Sequence, residues 1–516
     1  MSRDSPRRDL TVPKAPTRTI TGSKPRAERT AGTAQRALLV GHGGNRVLLV
    51  GLLMFLLLCA ALPRFSNLGG ESEMSSDEGA DWAAAAAPTL SEVQRLGIAY
   101  NAGKLALYDM TLHLWIRVFG DKLGAMRALS ATLGVLDVLL LFVVVREMFG
   151  ANSGAQNGEP SINPAAIALL AALVMALSVT MVKYSREIRM YPLLLALILL
   201  QVWWFFRLRR QEQIEDYVCL ALLTALALAA NFTAALVVVA EGVWLLPSLL
   251  GLPLRFPLTS RWRAWLTVAT LGVGCAVFAF PLLYQSARLA DLVRHGEYVF
   301  IQPITTQGAI ETLWDAGGKF AFPVIAALAA YGSLRGWRRA PEAVAFLVSW
   351  FCVPILLAVL ISWVVTPFFV ERYVLSSFLP LFVLAGLGVW ELRRLSQIGA
   401  LTLLVALQVC DFHYYNRSES DYQWGVQWRE AAATAAATHS TVGVEPPIAH
   451  HVVEYYLGRS GLPPESYRNN FIGGREGEVL IVADQIPICQ PREAAELFSE
   501  YSKTLAHLRG VVVVRR

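Results

Sequence analysis

Apolar runs of about twenty residues recur through most of this sequence, from residue 47 to residue 411. A hydrocarbon layer about 30 Å thick needs about 20 apolar residues per helix, and helices satisfy their own backbone hydrogen bonds there. Of the 516 residues, 55% are hydrophobic and 16% are charged. These features predict an α-helical polytopic membrane protein in contact with membrane lipids.

The apolar runs predict about eleven transmembrane helices. They lie near residues 47–63, 124–145, 164–182, 190–207, 217–231, 233–250, 264–284, 319–334, 343–364, 373–390 and 396–411. With this count, the basic tail and the loops FFRLRRQ, LRFPLTSRWRAW, RGWRR and ELRR all fall on one side of the membrane. Cytoplasmic loops are the ones enriched in Arg and Lys. We therefore predict a cytoplasmic N-terminus and an extracytoplasmic C-terminus in the inner or plasma membrane.

Regions outside the apolar core have distinct compositions. Residues 1–46 are rich in Arg, Lys, Ser, Thr and Pro, which predicts a disordered basic cytoplasmic tail. The first apolar run is short enough for a cleaved signal peptide, but the long tail favours an uncleaved first helix. Residues 47–411 form the predicted transmembrane domain, with a first outer loop at 64–123. Residues 412–516 alternate helix and strand patterns, which predicts a small extracytoplasmic α/β domain with a partly parallel sheet.

Charge and cysteine usage argue against two other classes. The net charge is +6, but the basic residues are scattered among the loops, so no nucleic-acid partner is predicted. The six cysteines lack a Cys-x-x-Cys spacing, which argues against a zinc or redox pair. His450 and Glu454 are one helical turn apart, and a divalent metal there is possible. Without a third ligand a structural or solvated role is favoured, so we predict no metal ligands and no certain cofactor.

The acidic stretch SSDEGADW lies in the first outer loop, just after the first apolar run. A carboxylate is ionised at neutral pH and can take the proton of an attacking hydroxyl. Asp77 and Glu78 are therefore candidate catalytic residues. The alternative is that Asp77, Glu78 and Asp81 are solvated loop acids.

Two further charged clusters, SREIRMYP and ERY, lie between apolar runs. Both are predicted on the outer side of the membrane, as is the acidic stretch. Charged groups at membrane depth are costly unless they pair or bind a ligand, and guanidinium groups bind phosphate oxygens well. Interfacial anchoring of the arginines and tyrosines is the alternative. The predicted pocket for a donor phosphate consists of Arg186, Glu187, Arg189, Tyr191, Arg372 and Tyr373. Such a pocket suits a sugar linked to a lipid phosphate, because arginines stabilise the charge on the departing phosphate.

Together these segments resemble the polytopic GT-C glycosyltransferases. The resemblance is to the dolichyl- or polyprenyl-phosphate-mannose protein mannosyltransferase-like group, which includes the lipid A aminoarabinose transferases. It rests on SSDEGADW, LYDMTLHLWIRVFGD, YSREIRMYPLLLALILL and ERYVLSSFLPLFVLAGLGV, in that order. It implies an inverting reaction with a polyprenyl-phosphate sugar, Asp77 as the base, and a phosphate pocket containing Arg189, Tyr191 and Arg372. The segment KLALYDM replaces the Pro-Pro-Leu-Tyr of many relatives.

The leading hypothesis is therefore an inverting membrane glycosyltransferase. Its partners would be a polyprenyl-phosphate sugar donor and a glycan, lipid or protein acceptor on the outer face of the membrane. A lipid or solute transporter or flippase without transferase activity is the alternative, because such proteins also place charged residues among many spans.

Overall fold

The computed structural model describes residues 47–69, 73–101, 103–150, 162–211, 213–252, 260–294, 304–365, 367–422, 426–445, 449–461, 478–482 and 503–515. The predicted basic tail, 1–46, lies outside these residues. The chain divides into two units, Met1–Met54 and Phe55–Arg516. Everything considered below as a functional site lies within the second unit.

Helices make up most of the described chain. In chain order they are α1 (Val47–Phe65), α2 (Ser76–Ala85), α3 (Leu90–Tyr100), α4 (Leu107–Phe119), α5 (Leu123–Gly150), α6 (Pro164–Leu177), α7 (Val179–Ser185), α8 (Tyr191–Gln211), α9 (Ile214–Ala230), α10 (Ala234–Leu250), α11 (Arg261–Arg294), α12 (Thr306–Gly317), α13 (Phe322–Gly336), α14 (Pro341–Val364), α15 (Phe378–Glu391), α16 (Arg394–Tyr422), α17 (Trp428–Ala436) and α18 (His450–Arg459). Two 3₁₀ turns, Glu371–Tyr373 and Leu375–Ser377, precede α15.

In the described part of the chain, five helices are long and apolar enough to cross a membrane: α1, α5, α8, α14 and α16. Two bent pairs bring the number to seven if each is one span. They are α6 with α7, which meet at 64°, and α12 with α13, which meet at 89°. The protein is therefore an integral membrane protein, while the count of eleven spans stays a prediction.

Small residues allow the apolar helices to approach closely. A Cβ on Gly388 of α15 would lie only 2.0 Å from the carbonyl oxygen of Leu328 in α13, and one on Gly332 would lie 2.2 Å from that of Leu384. Lipid provides no hydrophobic drive between helices, so close backbone contact supplies the packing energy. Helix α15 in turn packs against α6, which leads through α7 to the turn bearing Arg189.

Within the described residues of the C-terminal part, four strands form a sheet in the order β1-β2-β4-β3. The strands are β1 (Val442–Glu445), β2 (Val479–Val482), β3 (Lys503–Leu508) and β4 (Val511–Arg515). β1 and β2 are parallel, whereas β4 is antiparallel to both β2 and β3. Helix α16 continues past residue 411, the predicted end of the last span, to Tyr422.

Candidate active site

Helix α2, which carries the acidic stretch, begins at a capping box. The hydroxyl of Ser75 accepts a hydrogen bond from the N–H of Glu78 at 3.3 Å, and the Glu78 carboxylate accepts one from the N–H of Ser75 at 2.9 Å. This reciprocal pair satisfies two backbone donors that a helix start leaves open. It places Asp77 in the first turn, where the helix dipole favours a negative charge.

Glu78 is fully buried, and hydrogen bonds occupy both of its carboxylate oxygens. Arg127 of α5 donates from Nε to Oε1 and from Nη2 to Oε2, each at 2.9 Å. The N–H of Ile188 also donates to Oε1 at 2.9 Å. Glu78 therefore connects α2 with α5 and with the turn before α8. Its buried bidentate pair with Arg127 suits Glu78 to a structural role in the site.

Asp77 is the accessible acid of the pair, with 41% of its side chain exposed. Its Oδ2 lies 3.4 Å from Nη2 of Arg189 and 3.5 Å from Nη1 of Arg372. The two charged clusters recognised in the sequence therefore meet at one carboxylate. Arg189 is the main cause of a lowered pKa of the Asp77 carboxyl, and Arg372 lowers it further against the opposing effect of burial.

Arg189 lies in the turn between α7 and α8 and is buried. Its Nη1 is 3.3 Å from Oδ2 of Asp81 and donates to the backbone carbonyl of Asp77, also at 3.3 Å. Burial by itself would lower the pKa of the guanidinium, but Asp77 and Asp81 raise it well above its usual value. The group is therefore a permanent cation beside the exposed carboxylate.

Arg372 belongs to the 3₁₀ turn Glu371–Tyr373 on the other side of Asp77. Its guanidinium lies 5.8 Å from the ring centre of Tyr373, and that ring packs against Phe232 and Phe368. Glu371 of the same turn lies 4.0 Å from Nζ of Lys183 in α7. An ion pair therefore also connects this turn to α7, the helix that precedes the other cluster.

A buried charge network lies behind Arg189. Nζ of Lys104 donates to Oδ1 of Asp81 at 2.5 Å and to Oδ1 of Asp109 at 2.8 Å, and Nδ2 of Asn101 donates to Oδ1 of Asp81 at 2.6 Å. Burial raises the pKa of Asp81 to about 6, although Lys104 and Arg189 lower it. Since each charged group has a partner of opposite sign, the network is a stable base for Arg189.

The other residues predicted for the phosphate pocket have different surroundings. The ring of Tyr191 is buried 5.7 Å from the Arg189 guanidinium. Arg186 donates instead to the carbonyl of Ser66 at 3.1 Å. Glu187 is partly buried, and its backbone carbonyl accepts the N–H of Arg189 at 2.9 Å. Tyr191 thus lies beside Arg189, the arginine that pairs with Asp77. Arg186 instead contacts the backbone of Ser66.

Sequence reasoning did not assign Lys104, Asn101 or Arg127 to the site, and it treated Asp81 only as a loop acid. Two signals were available. Lys104 and Asp109 are opposite charges five residues apart in the segment KLALYDM, and Ser75 with Glu78 matches the spacing of a capping box. What the sequence does not show is the long-range pairing, because Arg127 lies 49 residues from Glu78.

The C-terminal region packs directly on the acidic helix α2. The ring of Tyr455 in α18 meets that of Trp82 edge to face at 5.1 Å, and the hydroxyl of Tyr456 accepts the N–H of Met74 at 3.0 Å. A Cβ on Gly79 would lie 2.7 Å from a side-chain carbon of Val452, so only glycine allows this approach. Helix α18 is therefore part of the wall that holds α2 in place.

Two solved structures of ArnT from Cupriavidus metallidurans share this architecture. The apo form has a TM-score of 0.57 and 12% sequence identity, over 92% of this chain and 98% of ArnT. ArnT bound to undecaprenyl phosphate has a TM-score of 0.55 and 11% identity, over 91% and 98% of the two chains. This chain has the GT-C glycosyltransferase fold. The resemblance inferred from its sequence is thus confirmed at the level of the GT-C fold.

A weaker likeness relates this GT-C chain to the archaeal oligosaccharyltransferase AglB of Archaeoglobus fulgidus. That comparison gives a TM-score of 0.49 and 10% identity, over 80% of this chain and 63% of AglB. No protein-family model and no curated protein sequence matches the chain. Because identities this low show the fold alone, the chemistry of this GT-C chain has to be argued from its own side chains.

Proposed function

We propose that this protein is an inverting glycosyltransferase that moves a sugar from a polyprenyl-phosphate carrier to an acceptor hydroxyl at the outer face of the membrane. The observation that carries the proposal is the position of Asp77, an exposed carboxylate held 3.4 Å from Arg189 and 3.5 Å from Arg372. An accessible base beside two phosphate-binding cations is what such a transfer requires.

In the proposed reaction, the acceptor oxygen attacks the anomeric carbon of the donor while its proton passes to Asp77. The bond from that carbon to the phosphate oxygen breaks, and its electron pair leaves with the phosphate. Attack on the face opposite the phosphate inverts the anomeric configuration. A phosphate is already a good leaving group, so no acid is needed to protonate it, in contrast to the two-carboxylate design of glycosidases.

Arg189 and Arg372 are the proposed donor-phosphate ligands. Both guanidinium groups pair with Oδ2 of Asp77. Guanidinium groups bind phosphate oxygens as they bind carboxylate oxygens, through planar N–H donors. A phosphate bound between them would compete with Asp77 for the same donors. Because those cations lower the pKa of Asp77, their engagement by phosphate would make Asp77 a stronger base once the donor is in place.

Glu78 is proposed to position the base, since its oxygens are occupied by Arg127 and by backbone donors. Tyr191 and Tyr373 are proposed to line the pocket beside the two arginines. The C-terminal region, whose helix α18 packs on α2, is proposed to hold or select the acceptor.

Transfer can be measured in vesicles that contain the purified protein, a labelled polyprenyl-phosphate sugar and a panel of glycan, lipid and protein acceptors. We expect label to move to an acceptor and the polyprenyl phosphate to be released. Movement of the labelled lipid between leaflets without any transfer would refute the proposal and favour a lipid transporter. The anomeric configuration of the product, read by NMR, tests inversion directly.

The proposed orientation places Asp77 on the extracytoplasmic side and the N-terminus in the cytoplasm. A cysteine introduced at Ser91, an exposed position on α3, should react with a membrane-impermeant maleimide in intact cells. A variant without this cysteine provides the background, since the described natural cysteines are not all buried. Labelling of Ser91→Cys only after the membrane is permeabilised would contradict the orientation.

A further inference from the structure

Three side chains converge in the first two turns of helix α18. They belong to His450, His451 and Glu454. One ligand atom from each lies within 4.8 Å of the others. The sequence shows His450 and Glu454 one helical turn apart, but it does not show a third ligand. The structure supplies this ligand, because His451 turns its Nδ1 toward the same carboxylate oxygen that His450 faces.

The distances within this trio are compatible with metal coordination. Nε2 of His450 is 3.7 Å and Nδ1 of His451 is 3.4 Å from Oε2 of Glu454. Good hydrogen bonds between such atoms are about 2.7–3.2 Å long. Ligand atoms about 2.1 Å from a tetrahedral zinc ion are instead about 3.4 Å from one another. Without an ion, His451 and Glu454 share a long hydrogen bond, and both contacts have about the separation of two ligands on one zinc ion.

The surroundings of the trio suit a metal site as well. Both imidazoles are mostly buried, whereas Glu454 is 44% exposed, so an ion has an entry path. The helix itself is rigidly held, since Val452 and Val453 are buried.

We propose that His450, His451 and Glu454 form a zinc-binding site on α18. Two imidazole nitrogens and one carboxylate oxygen are a donor set that zinc prefers, and magnesium or calcium would require mainly oxygen ligands. Three protein ligands leave one tetrahedral position for water or for an oxygen of another molecule. None of these three residues takes part in the proposed transfer reaction.

In addition to the packing of α18 on α2, an aromatic contact connects the site to the Asp77 region. The ring of His451 lies 4.3 Å from that of Tyr100, centre to centre. The next residue, Asn101, donates to Asp81 at 2.6 Å, and Asp81 also pairs with Arg189. An ion that fixes the His451 ring would therefore stabilise the end of α3 that supports the buried charge network.

Zinc binding is tested on the purified full-length protein in detergent, after removal of any polyhistidine tag. Competition with a chromophoric zinc chelator should show one high-affinity zinc ion per chain. His451→Gln and Glu454→Gln should each weaken binding by at least about tenfold. His507→Ala, which alters an exposed histidine in β3, should bind as tightly as the unmodified protein.

Two further measurements distinguish lost coordination from lost folding. Zinc should raise the melting temperature of the unmodified protein and leave that of Glu454→Gln unchanged, while the two proteins melt alike without zinc. X-ray absorption should show two imidazole ligands and Zn–N distances of about 2.0–2.1 Å. Absence of a bound ion, or equal affinity in a variant lacking all three ligands, would overturn the proposal.

Discussion

The Asp77 carboxylate and the Arg189 guanidinium lie 3.4 Å apart, although 112 residues separate them in the chain. Arg372 approaches the same oxygen from a third segment, at 3.5 Å. The exposed acid is thus paired with two cations from different parts of the helical domain. Predictions about its role follow from this arrangement.

Asp77→Asn should reduce sugar transfer by about 10²–10⁴-fold, because an amide cannot accept the acceptor proton. The fold should persist, since the side chain is partly exposed and nearly unchanged in shape. Initial rates with a labelled donor measure the effect, and the melting temperature verifies folding. Glu92→Gln, in a partly exposed acid of α3 in the same outer loop, is the matched control and should transfer normally. A fully active Asp77→Asn protein would rule out the assignment.

Arg372→Ala should raise the KM for the donor by about tenfold or more, because one charge-assisted bond to the phosphate is lost. The KM for the acceptor should change little. Steady-state kinetics with each substrate varied in turn separates the two effects. Arg95→Ala, at an exposed arginine of α3, is the control. Equal increases in both KM values would show that Arg372 does not act on the donor specifically.

The acid limb of the pH profile should differ between kcat/KM and kcat. The base is active when ionised, so the rate is full above the pKa of Asp77 and falls as the pH drops through it. In the free protein Arg189 and Arg372 hold this pKa below its usual value of 3.8, and kcat/KM reports that state. In the donor complex the phosphate engages the arginines, so kcat should decline at a higher pH. Coincident acid limbs would contradict competition between phosphate and Asp77.

Glu78→Gln should destabilise the protein by about 3–5 kcal/mol, because it leaves Arg127 buried without its anionic partner. Activity should fall in proportion to the folded fraction, in contrast to the folded but inactive Asp77→Asn protein. Thermal melting in detergent measures the loss. The double variant Glu78→Leu with Arg127→Leu should melt above Glu78→Gln, because it removes both buried charges. A Glu78→Gln protein as stable as the unmodified chain would show that this pair is unimportant.

Gly388→Ala should lower the melting temperature, because its Cβ would lie 2.0 Å from the carbonyl oxygen of Leu328 and force α13 and α15 apart. Overpacking of this kind costs about 1–3 kcal/mol. Gly399→Ala in α16 is the matched control, since a Cβ there has no neighbour within 4 Å. If the two variants melt at the same temperature, close packing of α13 on α15 contributes little to stability.

The local features of the site were open to prediction from sequence. Apolar windows of membrane length, an acidic stretch after the first of them, and two arginine clusters are contiguous patterns, and each indicates its own chemistry. Asp77, Arg189 and Arg372 were identified in this way. Lys104 and Arg127 were not, because a single charged residue does not reveal its partner.

Helix boundaries were predicted less well where polar residues continue a helix or a bend interrupts one. The predicted span at 164–182 is divided by a bend of 64° between α6 and α7. The last predicted span continues into the polar end of α16, whose backbone stays helical to Tyr422. Hydropathy indicates which residues can lie in the hydrocarbon layer. The end of a helix depends instead on capping and on tertiary contacts.

The sequence by itself determined that this chain lies in a membrane and which charged residues are available for chemistry, because both follow from the transfer energies of residues in short windows. Only the tertiary structure decided which of the neighbouring acids is exposed and which is buried. Asp77 and Glu78 are neighbours in the chain, but helical geometry turns one toward two arginines at the surface and the other toward the buried Arg127. That division depends on contacts between distant segments, which no local pattern encodes.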